Sequence, residues 1–258
     1  MATTTKLIVG CPYLAMDQST RAFEFNPIAI VRSCFKEKFA VPRQSGLAPS
    51  AQAVIALLPP YNTADYVDGL GTCSHIWLQF VFHEHLDTTA RAKVRPPRLG
   101  GNKKLGVFAT RSPVRPNPIG LSVVKLLGIC ESESGVQIQV AGIDLVDNTP
   151  ILDIKPYVPY ADCLKDAHNE LANAAPEVIP VVFSDDVNAK LVGCDPAFGL
   201  LLQEVLGQDP RPQYQIPKPN KRYGARIGDF NVIWCYEKNS AHWQIKVLEL
   251  EAPNGTSD

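Results

Sequence analysis

Twenty-two prolines are scattered through the 258 residues of this chain. Each fixes φ and removes a backbone donor, so long helices have little room and strands joined by stiff loops are favoured. Between the prolines, apolar residues recur with a period of two. Ser74 to His83 sets Ile76, Leu78, Phe80 and Phe82 on one side, with His75, Trp77, Gln79, Val81 and His83 on the other. That alternation, rich in aromatic residues, reads as a strand. Phe25 to Phe35, Leu105 to Thr110, Ile119 to Leu127, Val136 to Val140 and Ile151 to Val158 read as further strands. In Val136 to Val140 the alternation is strict, so one face meets water. Several short strands with Pro- and Gly-rich connections predict a mainly β fold with a closed or nearly closed barrel. The βα repeats of a Rossmann-type parallel sheet are absent.

From Ala161 to Pro180 the composition turns to Ala, Pro and polar residues, which marks a boundary. Helical signals follow. Asp195-Pro196 is a good N-cap with proline at the first helical position, and Gly207 is a plausible stop. Asp229 to Tyr236 and Trp243 to Leu250 look like a closing hairpin. The expected organisation is a weakly ordered leader over 1–24, a β-barrel domain over 25–165, and a small α+β C-terminal domain over 166–258.

Composition narrows the function classes. Hydrophobic residues make up 45% and charged residues 20%, so the chain is globular rather than disordered. No run of about 18 apolar residues exists to span a membrane. Seven cysteines, odd in number and without a C-x-x-C pair, are neither a disulfide framework nor a zinc site, and fit a reducing cytoplasm. Ile8-Val9-Gly10-Cys11 superficially resembles a lipoprotein cleavage box, but the apolar stretch before it is far shorter than the ~7 residues an h-region needs.

The net charge is only -1, yet its distribution is uneven. Thr88 to Cys130 contains no Asp or Glu and carries nine basic residues: Arg91, Lys93, Arg95, Arg98, Lys103, Lys104, Arg111, Arg115 and Lys125. The remaining 16 basic residues share the rest of the chain with all 26 acidic ones. Such segregation is the footprint of a polyanion or phosphate site, against the alternative of a solvated basic face. A second acid-free stretch, Pro210 to Gly228, adds Arg211, Lys218, Lys221, Arg222 and Arg226, with Tyr214 and Tyr223 among them.

The densest motif segment is Val94-Arg95-Pro96-Pro97-Arg98-Leu99-Gly100-Gly101-Asn102. Gly106-Val107-Phe108-Ala109-Thr110-Arg111-Ser112-Pro113 and Arg115-Pro116-Asn117-Pro118-Ile119-Gly120-Leu121-Ser122 follow it. Prolines stiffen these loops, glycines permit close backbone approach, and arginines supply rigid forks suited to carboxylate or phosphate. The competing reading is an arginine that only ties loops to backbone carbonyls. His83-Glu84-His85 has a spacing a metal can use, but no third ligand is nearby, so no metal is expected. Asp144 to Pro150 ends a strand with two carboxylates. Asp147-Asn148 suits the turn itself, and Asp144, taken as still on the strand, is the better functional candidate. Leu58-Pro59-Pro60-Tyr61 resembles the [DNS]-P-P-Y loop of amino-methyltransferases acting on adenine, but Leu58 has no acceptor side chain, so that motif fails chemically.

Taken together, these blocks resemble the TsaA-like (YaeB) family, the tRNA (adenine-37) methyltransferases that use S-adenosylmethionine. Phe39-Ala40-Val41-Pro42-Arg43-Gln44, Ser74-His75-Ile76-Trp77, Asp144 to Pro150, Asp153-Ile154-Lys155-Pro156-Tyr157 and Asp209-Pro210-Arg211-Pro212 add to the match, which runs from about Phe25 to Leu250. The resemblance implies a cofactor-binding N-terminal barrel, a small C-terminal domain, a homodimer, and methylation of threonylcarbamoyladenosine beside the tRNA anticodon. It places cofactor contacts on Arg43, Gln44, Ser45, Glu84, His85, Arg111, Leu121, Ala141, Gly142, Ile143 and Asp144.

The chemistry is compatible with that assignment. S-adenosylmethionine carries a carboxylate that Arg43 or Arg111 suits. Asp144 suits its ribose hydroxyls or ammonium, and Leu121 with the Gly142-Ile143 backbone suits its adenine. Asp144 and His83 are the candidate bases for the poorly nucleophilic target nitrogen. Arg95, Arg98, Lys103, Lys104, Arg115, Arg211, Tyr214, Lys221 and Arg222 are the candidate RNA contacts, tracking phosphates and stacking on splayed anticodon-loop bases. Two other readings remain open: a tRNA or nucleotide sensor with a cofactor pocket but no turnover, and an enzyme acting on a small anionic metabolite.

Overall fold

The structure is a computed structural model and describes residues 23–96, 103–133, 135–172, 174–211, 215–239 and 242–252. The leader expected over 1–24 therefore lies almost wholly outside the described residues. In chain order the first eight strands are β1 (Ala29–Ser33), β2 (Gln52–Leu57), β3 (His75–Val81), β4 (Lys93–Val94), β5 (Leu105–Gly106), β6 (Ile119–Ser132), β7 (Gly135–Ala141) and β8 (Pro150–Pro156). Six of these close into an antiparallel barrel in the order β1-β2-β7-β6-β3-β8, with β4 and β5 forming a separate ribbon. The mainly β, closed-barrel expectation is met.

Alternate residues fill the barrel. Ala29 and Val31, Ile55, Ile76, Leu78 and Phe80, Ile138 and Val140, and Ile151 are all buried. A six-stranded barrel is narrow, so aliphatic side chains pack its interior and any ligand site must lie at its mouth. β1 pairs with β8 through Ala29↔Ile151 to close the ring.

Three departures of the barrel strands from the sequence reading bear on the site. β2 was missed, because Gln52-Ala53-Val54-Ile55-Ala56-Leu57 has two alanines and a weak β signal. The run from Leu105 to Thr110 is a strand only through Gly106; Val107–Ala109 turns as a 3-10 helix, with the Thr110 N–H donating to the Val107 carbonyl at 3.0 Å. β7 ends at Ala141, so Asp144 lies beyond the strand, not on it. The cause is Gly142, whose φ of +75° turns the chain while its Cβ position faces the Gly46 backbone at 3.3 Å. The N–H groups of Gly142 and Ile143 both donate to the Ala51 carbonyl, pinning the turn.

Beyond the barrel come α1 (Pro159–Asp162), β9 (Val181–Phe183), α2 (Asp185–Leu191), α3 (Pro196–Gly207), β10 (Tyr223–Ile227), β11 (Phe230–Asn239) and β12 (His242–Glu251). The Asp195 carboxylate caps α3 by accepting from the Ala197 N–H at 2.8 Å. β11 and β12 form the expected hairpin, extended to a sheet of order β10-β11-β12-β9. β9, β10 and α2 carry short apolar patterns that the sequence reading did not resolve.

The two sheets interlock. Phe39, in the loop after β1, stacks on Trp234 of β11 at 5.8 Å, and Phe35 forms a β-bridge with Ile227. Their buried residues form one continuous core. No helix among the described residues is long and apolar enough to cross a membrane. The six described cysteines are free.

Candidate active site

The barrel mouth holds a cavity of about 510 Å³. Four segments make its walls: the end of β3 with the turn after it, the start of β6, the loop Lys38 to Gln44, and Arg111 to Arg115. Asp144 and Thr149, from the loops after β7, complete it. The apolar side is Phe80, Phe82, Ile119 and Leu121; Phe80 and Phe82 meet edge-to-face at 5.1 Å. Arg43, Arg111, Arg115 and Lys38 supply positive charge, and Asp144 and Glu84 supply negative charge.

Gly120 shows how tightly this wall is built. A Cβ there would sit 2.2 Å from the ring of Phe80, which is only 3% exposed. Gly120→Ala is expected to push Phe80 towards the cavity and cost about 1–3 kcal/mol. Urea unfolding checks this; an unchanged midpoint would mean that the ring moves aside freely.

Asp144 is the unusual group. Its Oδ1 is sealed from solvent and has no hydrogen-bond partner. Burial pushes its pKa up to about 6, against the pull of the Ser122 hydroxyl, its own N–H, the Ser45 N–H and the Arg111 charge. Buried polar oxygens are normally satisfied, so an orphaned one on a residue that lines a cavity marks a place where a small rearrangement would admit a donor. Burial, followed by the Lys38 charge, holds the His85 imidazole below its ordinary range. Lys38 also forms an ion pair with Glu84 at 3.5 Å and donates to the Glu84 carbonyl at 2.9 Å.

The arginines divide by role. Arg111 donates to the Gln44 side chain, whose amide in turn donates to the Arg43 carbonyl. Arg43 donates to the carbonyls of Asp209 at 3.2 Å and Arg211 at 2.7 Å. It therefore ties the barrel loop to the C-terminal turn, and Arg111 is the better-placed fork for an anion in the cavity.

Residues 30–163 match the tRNA-methyltransferase O N-terminal domain and residues 176–252 match the TrmO C-terminal domain. The chain belongs to the tRNA-methyltransferase O family. It is 49% identical over 229 residues to a Pseudomonas aeruginosa protein named putative S-adenosylmethionine-dependent methyltransferase RcsF, covering 87% of this chain and 96% of that one. It is 47% identical over 218 residues to the tRNA (adenine(37)-N6)-methyltransferase of Escherichia coli, covering 83% and 93%. The crystal structure of TrmO from P. aeruginosa superposes with a TM-score of 0.74 at 40% identity, covering 92% of this chain and all of that one. The kinship suggested by the Pro- and Arg-rich blocks is thereby established.

On this tRNA-methyltransferase O barrel, the cavity gathers Arg43, Gln44, His83, Glu84, His85, Arg111, Leu121 and Asp144 from the residues singled out by sequence. Ser45 reaches it through its N–H on Asp144. Ala141, Gly142 and Ile143 do not line it. Ala141 and Ile143 are buried in the core, and the Gly142 and Ile143 N–H groups are engaged by Ala51. Those three shape the loop that carries Asp144.

Of the expected RNA contacts, Arg95, Lys103, Lys104, Lys221 and Arg222 are exposed. Arg98 and Tyr214 lie outside the described residues. Arg115 is half-buried and lines the cavity, donating to the Thr110 carbonyl at 3.2 Å. Arg211 is enclosed rather than exposed. It is 5% exposed, paired with Asp209 at 2.6 Å, and lies 4.5 Å over the Tyr236 ring. A guanidinium so enclosed ties the Asp209 turn to β11. Asp147 and Asn148 build the turn, as the sequence suggested: Asp147 accepts from the Ser33 N–H at 2.8 Å and Asn148 takes φ +63°.

Sequence reasoning missed Lys38, Phe80, Phe82, Ser122 and Thr149 as lining residues. Ser122 carried a readable signal, a hydroxyl in the apolar run of β6 that needs a buried partner. Among the described residues no group of three or more His, Cys, Asp or Glu is placed to hold a metal ion.

Proposed function

We propose that this chain is an S-adenosylmethionine-dependent methyltransferase that methylates the exocyclic nitrogen of adenosine 37 in tRNA. The substrate base is the threonylcarbamoylated form. The observation that carries the reading is the buried Asp144, whose Oδ1 lacks a partner, on the lining of a cavity walled by aromatic rings and Arg111. The cavity fits the cofactor's chemistry: Arg111 suits the carboxylate, Asp144 the polar groups, and Leu121 with Ile119 the adenine. When bound, the cofactor supplies an electrophilic methyl group.

The chain's own residues supply positioning, dryness and a base. Phe80, Phe82 and Ile119 keep water from the reacting nitrogen. That nitrogen belongs to a urea and must lose its proton as its new bond to carbon forms. With a pKa near 6, Asp144 is ionised at neutral pH yet basic enough to take that proton. His83 lines the same cavity as the second candidate.

The tRNA is held by the exposed basic residues. Arg95, Lys103 and Lys104 lie on or beside the β4–β5 ribbon, and Lys221 and Arg222 lie on the C-terminal domain. Charge reversal at Lys221 and Arg222 is expected to weaken tRNA binding about tenfold or more, flatten its salt dependence, and spare cofactor binding. Unchanged tRNA affinity would remove this face from the RNA site. We further propose a domain boundary near residue 165, a homodimer and a cytoplasmic location; the free cysteines are consistent with that compartment.

Transfer of labelled methyl to tRNA pools with and without the threonylcarbamoyl group tests the reading. Label in the modified pool alone supports it. Cofactor binding without label in either pool would make the chain a sensor.

A further inference from the structure

A second cavity, of about 810 Å³, lies against the first. Arg43, Gln44 and Arg111 line both. The hydrogen bond from Arg111 to Gln44 therefore stands in a partition. On one side is the chamber of Asp144. On the other is a chamber lined mainly by apolar groups, Leu47, Leu105, Phe108, Leu171 and Pro176 among them.

Phe108 is the telling residue. It is 80% exposed, although it lies in a 3-10 turn whose neighbour Val107 is buried and anchors it. The backbone is thus held while the ring is presented. A large exposed aromatic on a fixed turn is costly in water and suits stacking on a planar partner. The partner's charge can be read from the surroundings. Lys93, Arg95, Lys103 and Lys104 are exposed on the adjoining ribbon, and Thr88 to Cys130 contains no acidic residue. An apolar chamber with an aromatic rim beside a basic strip fits an unstacked RNA base whose flanking phosphates run over the strip. The volume lies within the range of small-molecule sites, about 300–1,000 Å³.

We propose that this second cavity receives the target nucleoside, stacked on Phe108 with its exocyclic nitrogen passing the Gln44–Arg111 partition into the chamber of Asp144. The inference rests on the methyltransferase reading and deepens it: cofactor and base approach from opposite chambers, and Arg111 and Gln44 separate them until both are in place. Phe108 then sets how well the base is held without touching the reacting atoms.

The test uses the full chain with Phe108→Ala and Phe108→Trp. Base–aromatic stacking is worth about 1–3 kcal/mol. In Phe108→Ala the KM for modified tRNA should therefore rise about 5- to 150-fold, with the cofactor Kd and the kcat at saturating tRNA unchanged. Phe108→Trp should restore the KM. Its added indole fluorescence, measured against wild type, should be quenched by a threonylcarbamoylated anticodon stem-loop. An unmoved KM, absence of quenching, or a loosened cofactor Kd in place of the KM change would overturn the assignment. The quenching needs no turnover. Quenching in a chain that transfers no methyl would sink the methyltransferase reading and leave the base in this cavity.

Discussion

Asp144→Asn is expected to lower kcat by about 10²- to 10⁴-fold, the contribution of a positioned general base, while making the protein more stable at pH 7. The two effects share one cause. Burial raises the carboxyl pKa from 3.8 to about 6. Between those values the folded state holds a proton that the unfolded state has released, so stability falls as pH rises through that window. Above pH 6 the folded chain carries a buried anion, at a cost of up to about 3 kcal/mol. Asparagine carries no charge there, so the variant should gain about 1–3 kcal/mol at pH 7 and nothing at pH 3. Thermal melting at the two pH values reads the gain directly. The wild-type kcat should rise with pH to a plateau above about 6, and the variant should lose that limb. A variant that binds cofactor normally and keeps full rate would exclude Asp144 as the base and leave His83.

Arg211→Met should destabilise the chain by about 3–5 kcal/mol, because it removes a buried guanidinium and strands its half-buried carboxylate partner. Asp209 now pairs with Arg211 at 2.6 Å and accepts from the Tyr236 hydroxyl at 2.7 Å. Without the guanidinium its charge has only the phenol. At about 2–4 °C per kcal/mol, the melting temperature should fall by about 6–20 °C. The loss should reach the active site as well. The Asp209 and Arg211 carbonyls hold Arg43, so a loosened turn releases the loop that carries Gln44 and Ser45, and the cofactor KM should rise. Unchanged melting with only weakened tRNA binding would return Arg211 to the RNA surface.

The contrast between these two residues shows what a reading along the chain can and cannot place. Asp144 was chosen for its place at the end of an apolar strand, and the structure keeps it in the cavity although Gly142 ends that strand early. Arg211 was chosen because it lies in an acid-free stretch. Its partner Asp209 stands just outside that stretch, and the Tyr236 ring comes from β11, 25 residues further on. A charge count along the chain cannot see a partner supplied by folding. The same limit hid Phe80 and Phe82. Both were legible as part of an alternating run, but β3 ends at Val81, and only the β3–β6 register, with Phe80 opposite Gly120, and the turn after β3 bring the two rings to the cavity.

Alternation, proline spacing and ordered Arg-rich blocks are local properties of the chain, and they suffice for the barrel class, the basic strip and the family. The burial of Asp144, the engagement of Arg43 and Arg211, and the partition between the two cavities exist only in the folded chain. Each of these depends on segments that are distant in sequence and meet only when the barrel closes and the C-terminal sheet packs on its loops. Desolvation and hydrogen-bond satisfaction are properties of that meeting, not of any stretch of residues.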